Sequence, residues 1–143
     1  MFILDNDVVD IIVYYRKLNR NFVAHSEKSF KEDVLTEVEK SKFKKLTVTM
    51  KVLSWGLFNE LQEISSVYDM NASRNVFNIK RYKEEKLKML IVKWDATTVN
   101  KEGVVTPVQV SEKAILSLSP SIAEVILNSY DEVSILDDEE EKK

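Results

Sequence analysis

The chain has 143 residues, of which 44% are hydrophobic and 31% are charged, and its formal net charge is -3. This composition is typical of a globular protein, and the length suffices for one well-cored domain. Because the net charge is negative, we do not expect a general nucleic-acid binder. Without cysteine, disulfides and thiolate chemistry are excluded. No segment approaches the roughly 20 apolar residues needed to span a bilayer, so we expect a soluble protein with no membrane partner.

Residues 1–45 are predicted to form a helical N-terminal arm. Their apolar positions include a set at helical spacing, namely Val8, Ile11, Ile12 and Tyr15. The β-branched members of that set favour a strand instead, so the local signals disagree. Residues 26–45 alternate in charge sign around a narrow apolar stripe, formed by Phe30, Val34, Leu35 and Val38. This second pattern is typical of a solvent-exposed helix.

A core domain is predicted over residues 46–136, and it opens with the clearest strand signal in the chain. Apolar residues alternate strictly with polar ones here, which places Leu46, Val48, Met50 and Val52 on one face. Ser54 then has the position of an N-cap. The helix that it begins has an apolar face made of Leu57, Phe58, Leu61 and Ile64.

The second half of the core domain is predicted to be mainly helical. A basic helix runs roughly from Arg81 to Trp94, and a polar turn follows at 100–103. Residues 104–110 are predicted to form a short strand, which Pro107 restricts to a sheet edge. Ser111 and Ser119 have the positions of N-caps for two further helices. Residues 137–143 are a predicted acidic tail, solvated by its charges.

These elements predict a single α+β domain that is mainly helical, with a short two- or three-stranded sheet and the N-terminal helical arm. Only two glycines and two prolines interrupt the chain, which favours long helices over many strands. The residues that we expect in the core are Val48, Met50, Leu57, Phe58, Leu61, Leu87, Leu90, Ile91, Trp94, Ile115, Leu118, Ile122 and Ile126.

No catalytic, cofactor or metal site is predicted. The only histidine, His25, lies in a polar stretch, where a surface position is expected, and zinc would need several such ligands. Gly56 and Gly103 are isolated, so no glycine-rich loop could hold a phosphate. Hydrolysis by paired carboxylates would require the fold to bring two acids together, which the sequence leaves open.

The candidate partner-binding residues are Trp55 and four lysines of the basic stretch, Lys83, Lys86, Lys88 and Lys93. Tryptophan is enriched at interface hot spots, although burial in the core is the alternative for any large aromatic residue. The basic stretch over 80–93 has three interpretations. It could be a solvated helix face, a phosphate-binding face, or a face that receives an acidic segment such as the tail of another copy.

Four passages of the chain follow an order seen in a known group of proteins. They are Val52-Leu53-Ser54, Leu87 to Asp95, Gly103 to Ser111, and Leu118 to Glu124. With them, residues 46–143 resemble small tail proteins of tailed bacteriophages, particularly tail assembly chaperones and related tail- or baseplate-associated proteins. Residues 1–45 do not fit the pattern of that group, which leaves a different role open.

The resemblance implies a non-enzymatic phage tail assembly protein that acts through protein–protein contacts. Its partners would be tape-measure, tube or baseplate subunits, met in the host cytoplasm during assembly. The nearest alternative is a structural subunit of the tail, neck or baseplate that stays in the virion, where copies could associate. A nucleic-acid-associated factor that uses the basic helix is the third hypothesis. No cofactor is implied.

Overall fold

The computed structural model describes residues 1–4, 6–32 and 35–141, and it describes side chains up to residue 133 of the last helix. The strands are β1 (Val8–Leu18), β2 (Asn21–Ser26), β3 (Lys44–Lys51), β4 (Ser66–Asp69), β5 (Arg74–Phe77), β6 (Ile91–Trp94), β7 (Thr97–Val99) and β8 (Val105–Pro107). The helices are α1 (Glu27–Glu32), α2 (Glu37–Lys40), α3 (Trp55–Ile64), α4 (Ile79–Leu90), α5 (Glu112–Leu116) and α6 (Pro120–Glu141).

The centre of the fold is an antiparallel four-stranded sheet in the order β2-β1-β3-β6. Ile11 pairs with Val48, and Val13 pairs with Leu46, so these four buried side chains share one face. Two separate hairpins, β4–β5 and β7–β8, pair only within themselves among the described residues. None of the described helices is both long enough and apolar enough to cross a membrane.

Helix α6 packs over the apolar face of the sheet, against β1 and β2. Its buried residues Ile126, Leu127 and Tyr130 join the core formed by the sheet and by α4. The Tyr130 hydroxyl donates to the Lys51 carbonyl at 3.0 Å and accepts from the Leu53 amide at 2.9 Å. These bonds hold the middle of α6 at the end of β3.

An aromatic cluster occupies the opposite face of the sheet. Tyr14 of β1 stacks on Phe30 of α1, with ring centroids 4.0 Å apart, and Phe30 meets Phe43 edge-on. His25 lies opposite Tyr14 on β2, contacts the Phe43 ring, and its Nδ1 is 3.3 Å from the Ser29 hydroxyl. The expected surface position of His25 is therefore wrong, since it is half-buried in a strand.

The mainly helical fold class is wrong. The described chain contains eight strands beside six helices, and its main sheet has four strands rather than two or three. The helical arm is wrong as well, because β1 and β2 form a hairpin that pairs with β3. Asn19, with φ 60°, makes the tight turn between them. The β-branched residues of this segment follow their strand preference, and pairing across the sheet buries them.

Other differences lie at the ends of elements. The predicted helix over 26–45 is two short helices, and the stripe residue Val34 lies outside the described residues. The basic helix ends at Leu90, because Ile91 has extended backbone angles and starts β6. The predicted acidic tail begins within α6, which continues to Glu141, while residues 142–143 lie outside the described part of the chain.

Several local predictions are confirmed. β3 has the predicted face, with Leu46, Val48 and Met50 buried. The hydroxyls of Ser54 and Ser111 accept from the backbone amides of Leu57 and Ala114, as N-caps do. The buried members of the predicted core are Val48, Met50, Leu61, Leu87, Leu90, Ile91, Ile115, Ile122 and Ile126.

The core predictions also had errors. Phe58 is 40% exposed, which contradicts its predicted place in the core. Leu57, Trp94 and Leu118 are only partly buried against that core. The buried residues that the prediction left out are Ile11, Val13, Leu46, Leu127 and Tyr130.

Candidate functional site

An open groove of about 1090 Å³ lies at the end of the sheet where β1 ends and β3 begins. The β7–β8 hairpin and the segment after it form one wall, and α5 with the start of α6 forms another. We call it the end groove. Its floor is apolar and consists of Tyr15, Phe22, Leu46, Trp94, Leu118 and Ile122.

Sheet geometry explains why these floor residues meet. Tyr15 follows Val13 by two positions on β1, so it points to the same face as the core. Phe22 of β2 packs against Tyr15, with ring centroids 6.3 Å apart. Trp94 pairs with Val48 at the end of β6 and lies on that face too. These half-buried aromatic residues extend the core surface past the point where α6 begins.

Basic side chains surround this apolar floor. The residues lining the groove include Arg16, Lys17, Lys42, Lys44 and Lys113, and they include no aspartate or glutamate. None of these five forms an ion pair within 4.0 Å with an acidic residue in the described part of the chain. The Arg16 guanidinium lies over the Phe43 ring, 5.9 Å from its centroid, in the aromatic cluster of the opposite face. The four lysines therefore carry the charge of the rim. The end groove is therefore apolar at its floor and positive at its rim.

Hydrogen bonds fix the hairpin wall to the sheet. Trp94 Nε1 donates to the Val108 carbonyl at 2.6 Å, and the Val108 amide donates to the Ala96 carbonyl at 2.9 Å. On the sheet side, the Thr47 amide donates to Asp95 Oδ1 at 2.7 Å. Residues 95–108 therefore form a constrained wall, and Trp94 belongs to both floor and wall.

The hairpin closes through the predicted polar turn. Asn100 Oδ1 accepts from the backbone amides of Glu102 and Val104, both at 2.9 Å. Gly103 has φ +80°, a conformation in which any other residue would be strained. The turn at 100–103 is thus confirmed, and it sets the height of the hairpin wall.

Tyr15 is the groove residue whose acidity changes. Burial is the main cause that raises the pKa of its hydroxyl above 10.0, and the negative charge of Asp95 adds to the effect. The phenol therefore stays protonated well into the alkaline range. It offers the groove a neutral hydrogen-bond donor.

The predicted lysines of α4 lie elsewhere, and each has an acidic neighbour. Lys83 Nζ is 2.9 Å from Glu124 Oε1 of α6, and Lys88 Nζ is 3.6 Å from Glu85 Oε1. These contacts hold α4 to α6 and α4 to itself.

Lys86 is the most enclosed of these lysines. It is only 4% exposed, and its Nζ is 2.7 Å from Asp131 Oδ1 of α6. The same ammonium lies 5.3 Å and 5.2 Å from the ring centroids of Tyr82 and Tyr130. It therefore joins α4 to α6 within the fold.

The remaining predicted partner-binding residues, Trp55 and Lys93, do not line the groove. Trp55 is 81% exposed at the first position of α3, and Lys93 is exposed on β6. Nearby, the stretch from 55 to 79 exposes several large apolar side chains: Trp55, Phe58, Tyr68, Met70, Phe77 and Ile79. None of the five predicted partner-binding residues lines the end groove, and their role in binding stays a prediction.

The rim of the end groove was missed because its members come from β1, the start of β3, the segment before it, and α5. The pairs Arg16-Lys17 and Lys42-Phe43-Lys44 are basic clusters beside aromatic residues, and they were the available signal. No spacing in the sequence connects them.

Neither a metal-binding cluster nor a relative identifies this site. Among the side chains that the structure describes, in residues 1–4, 6–32 and 35–133, no group of three or more His, Asp or Glu could hold a metal ion. Comparison with known proteins finds no matching protein-family model, curated protein or solved structure. The function must therefore be argued from the geometry together with the sequence resemblance.

Proposed function

We propose that this protein is a non-enzymatic tail assembly protein of a tailed phage, and that it holds a segment of a tail subunit in the end groove. The resemblance over 46–143 supports the assembly role, and the groove supports the mode of binding. The partner would be a tape-measure, tube or baseplate subunit in the host cytoplasm, and no cofactor takes part.

The end groove is the observation that carries this proposal. The apolar floor and the positive rim together complement a chain segment that combines apolar residues with acidic ones. Burial of the partner's apolar side chains would supply most of the affinity, and the rim charges would set orientation and association rate. An open groove admits a continuous chain, whereas small-molecule sites usually enclose their ligand.

A retained structural subunit is the second candidate, and the exposed apolar residues over 55–79 favour it. The β4–β5 hairpin pairs only with itself, and Tyr68 and Phe77 on it are exposed. A two-stranded hairpin is marginally stable in water unless something covers it, as neighbours in a particle would. Nucleic-acid binding through α4 has less support, because Lys83, Lys86 and Lys88 are already near carboxylates.

The test is capture of tail subunits by tagged full-length protein from the lysate of its native source. The groove variant carries Lys17→Glu and Lys44→Glu, both at exposed positions on the rim. The control variant carries Lys28→Glu and Lys80→Glu, which make the same charge change at exposed positions outside the groove and its walls.

The proposal expects a soluble tape-measure, tube or baseplate subunit, identified by mass spectrometry, with the wild type and the control. The groove variant should lose most of it. Equal capture by all three proteins would contradict binding in the groove. Recovery of the wild type only with finished particles would favour the structural subunit.

A further inference from the structure

The two ends of α6 differ in charge: basic residues surround its first turn, and an acidic run forms its last turns. The helix begins at the end groove, where Ser119 and Ile122 line the wall and floor. Tyr130 holds its middle at the far end of β3, and the helix continues from there to Glu141. With a rise of 1.5 Å per residue, Ile122 and Glu141 are about 30 Å apart.

The far end of α6 has the composition that the end groove complements. Ile135 and Leu136 are followed by five consecutive acidic residues, Asp137 to Glu141. The groove has an apolar floor, and four lysines line its rim: Lys17, Lys42, Lys44 and Lys113. Apolar residues beside an acidic run therefore meet an apolar floor beside a basic rim.

A chain cannot place this segment in its own groove. Both sites belong to one helix, at its two ends, and a continuous helix does not bring its ends together. We propose that residues 135–141 of one copy occupy the end groove of a second copy. This inference rests on the proposed function, because it assigns an occupant to the same groove.

The association is heterologous, since two different surfaces meet, and it can continue from copy to copy into a chain or ring. Residues 135–141 of another copy would then compete with the partner's segment for the same groove. In the free protein, self-association covers the apolar floor of each groove. A tail subunit that binds the groove more tightly than residues 135–141 do would displace them and release single copies. Charge–charge attraction in water is screened by salt, so self-association should weaken as salt rises.

Sedimentation velocity of the full-length protein tests the proposal, over roughly a hundredfold range of concentration at low and high salt. The tail variant carries Asp137→Asn, Asp138→Asn, Glu139→Gln, Glu140→Gln and Glu141→Gln, which keep length and size. The groove variant carries Lys17→Glu and Lys44→Glu. The Lys28→Glu and Lys80→Glu pair is the charge-matched control.

Wild type and control should form larger species as concentration rises, and more strongly at low salt. Each of the other two variants should associate about tenfold more weakly or not at all, since several ion pairs are lost together. Their equimolar mixture should form a dimer and stop, because one copy supplies the intact groove and the other the intact tail. Monomeric wild type at all concentrations, variants that associate like wild type, or a monomeric mixture would each overturn the proposal.

The tail variant also separates this inference from the proposed function. If it captures a tail subunit while the wild type never self-associates, the groove binds partners and the self-association is wrong. If the wild type associates head to tail but the tail variant, with its unoccupied groove, captures no tail subunit, the proposed function is wrong.

Discussion

The lysines of α4 and the lysines of the end groove carry the same charge in opposite surroundings. Lys83, Lys86 and Lys88 each lie within 4.0 Å of a carboxylate oxygen. The rim lysines form no ion pair with an acidic residue among the described residues, and no acidic residue lines their groove. Lys83 and Lys86 join α4 to α6 and Lys88 pairs within α4, while the rim lysines leave their charge available to a partner.

Charge density along a sequence therefore does not show where charge is available to a partner. The α4 lysines are conspicuous because they are close in sequence, yet a helix that packs on α6 presents some of them to the carboxylates of its neighbour. The rim lysines are inconspicuous because the fold assembles them from separate elements. Changes at each set should therefore affect different properties, stability for α4 and binding for the groove.

The largest effect on stability is expected at Lys86. Replacing it with Ala removes a buried aliphatic stem together with the ion pair, and should lower the free energy of unfolding by about 2 kcal/mol. Lys86→Met keeps the stem volume and should cost less than about 1 kcal/mol, because Asp131 is 57% exposed and can be hydrated. Urea unfolding of both variants measures this. A Lys86→Ala protein as stable as wild type would contradict the stabilising role that distinguishes the α4 lysines from the rim lysines.

A smaller loss is expected at Trp94, which belongs to the groove and also to the fold. Trp94→Phe removes the 2.6 Å hydrogen bond to Val108 and should lower the free energy of unfolding by about 1 kcal/mol. The hairpin wall should loosen as well, seen as faster amide exchange over 96–108. Unchanged exchange there would show that the wall does not depend on this bond.

Lys83 should matter less than Lys86, although both pair with α6. The side chains of Lys83 and Glu124 are 42% and 50% exposed, so water and salt screen their attraction. Lys83→Ala should lower the free energy of unfolding by no more than about 0.5 kcal/mol. A loss as large as that of Lys86→Ala would mean that burial is not what distinguishes the two pairs.

The groove variant Lys17→Glu/Lys44→Glu should change stability least, within about 0.5 kcal/mol of wild type in urea. Both side chains are exposed and neither has an acidic partner among the described residues. Binding, not folding, is the property that should fail. Marked destabilisation would make the rim lysines structural and remove the contrast with α4.

Tyr15 should add a pH dependence that appears only in alkali. Its folded pKa is raised above 10.0, so its contribution to stability is fully present below pH 10 and is lost as pH rises through the folded pKa. The absorbance difference between wild type and Tyr15→Phe during titration should place the Tyr15 midpoint above pH 10. A midpoint at or below 10 would contradict its burial in the floor.

Local signals in the sequence predicted the parts of the fold that local interactions determine. β3 has strict alternation, the caps at Ser54 and Ser111 have a hydroxyl three residues before the amide that they accept from, and the turn at 100–103 has its glycine. The secondary structure of β1 could not be predicted from local signals, because its apolar residues fit both the helical and the strand periodicity. Pairing with β3 determines that it is a strand. At β6, apolar residues continue the helical spacing of α4, so the change to a strand left no local sign.

The site was less predictable than the fold. Its floor depends on the hairpin β1–β2, which was expected to be helical. The rings of Tyr15 and Phe22, which are diagonal neighbours across the two strands, come into contact because of that hairpin. The rim depends on bringing Arg16 and Lys17 beside Lys44 and Lys113, which are far apart in the chain. Tertiary pairing therefore had to be known before the charge pattern could be interpreted.

Hydrogen exchange measured by mass spectrometry, with and without the captured tail subunit, locates the bound surface without any substitution. The measurement is made at a protein concentration low enough for the free protein to be monomeric, so that no second copy covers its groove. If partners bind in the end groove, exchange should slow over residues 15–22, 42–46 and 96–99. It should stay unchanged along α4, Ile79–Leu90. Protection along α4 with no change at the groove would contradict the account.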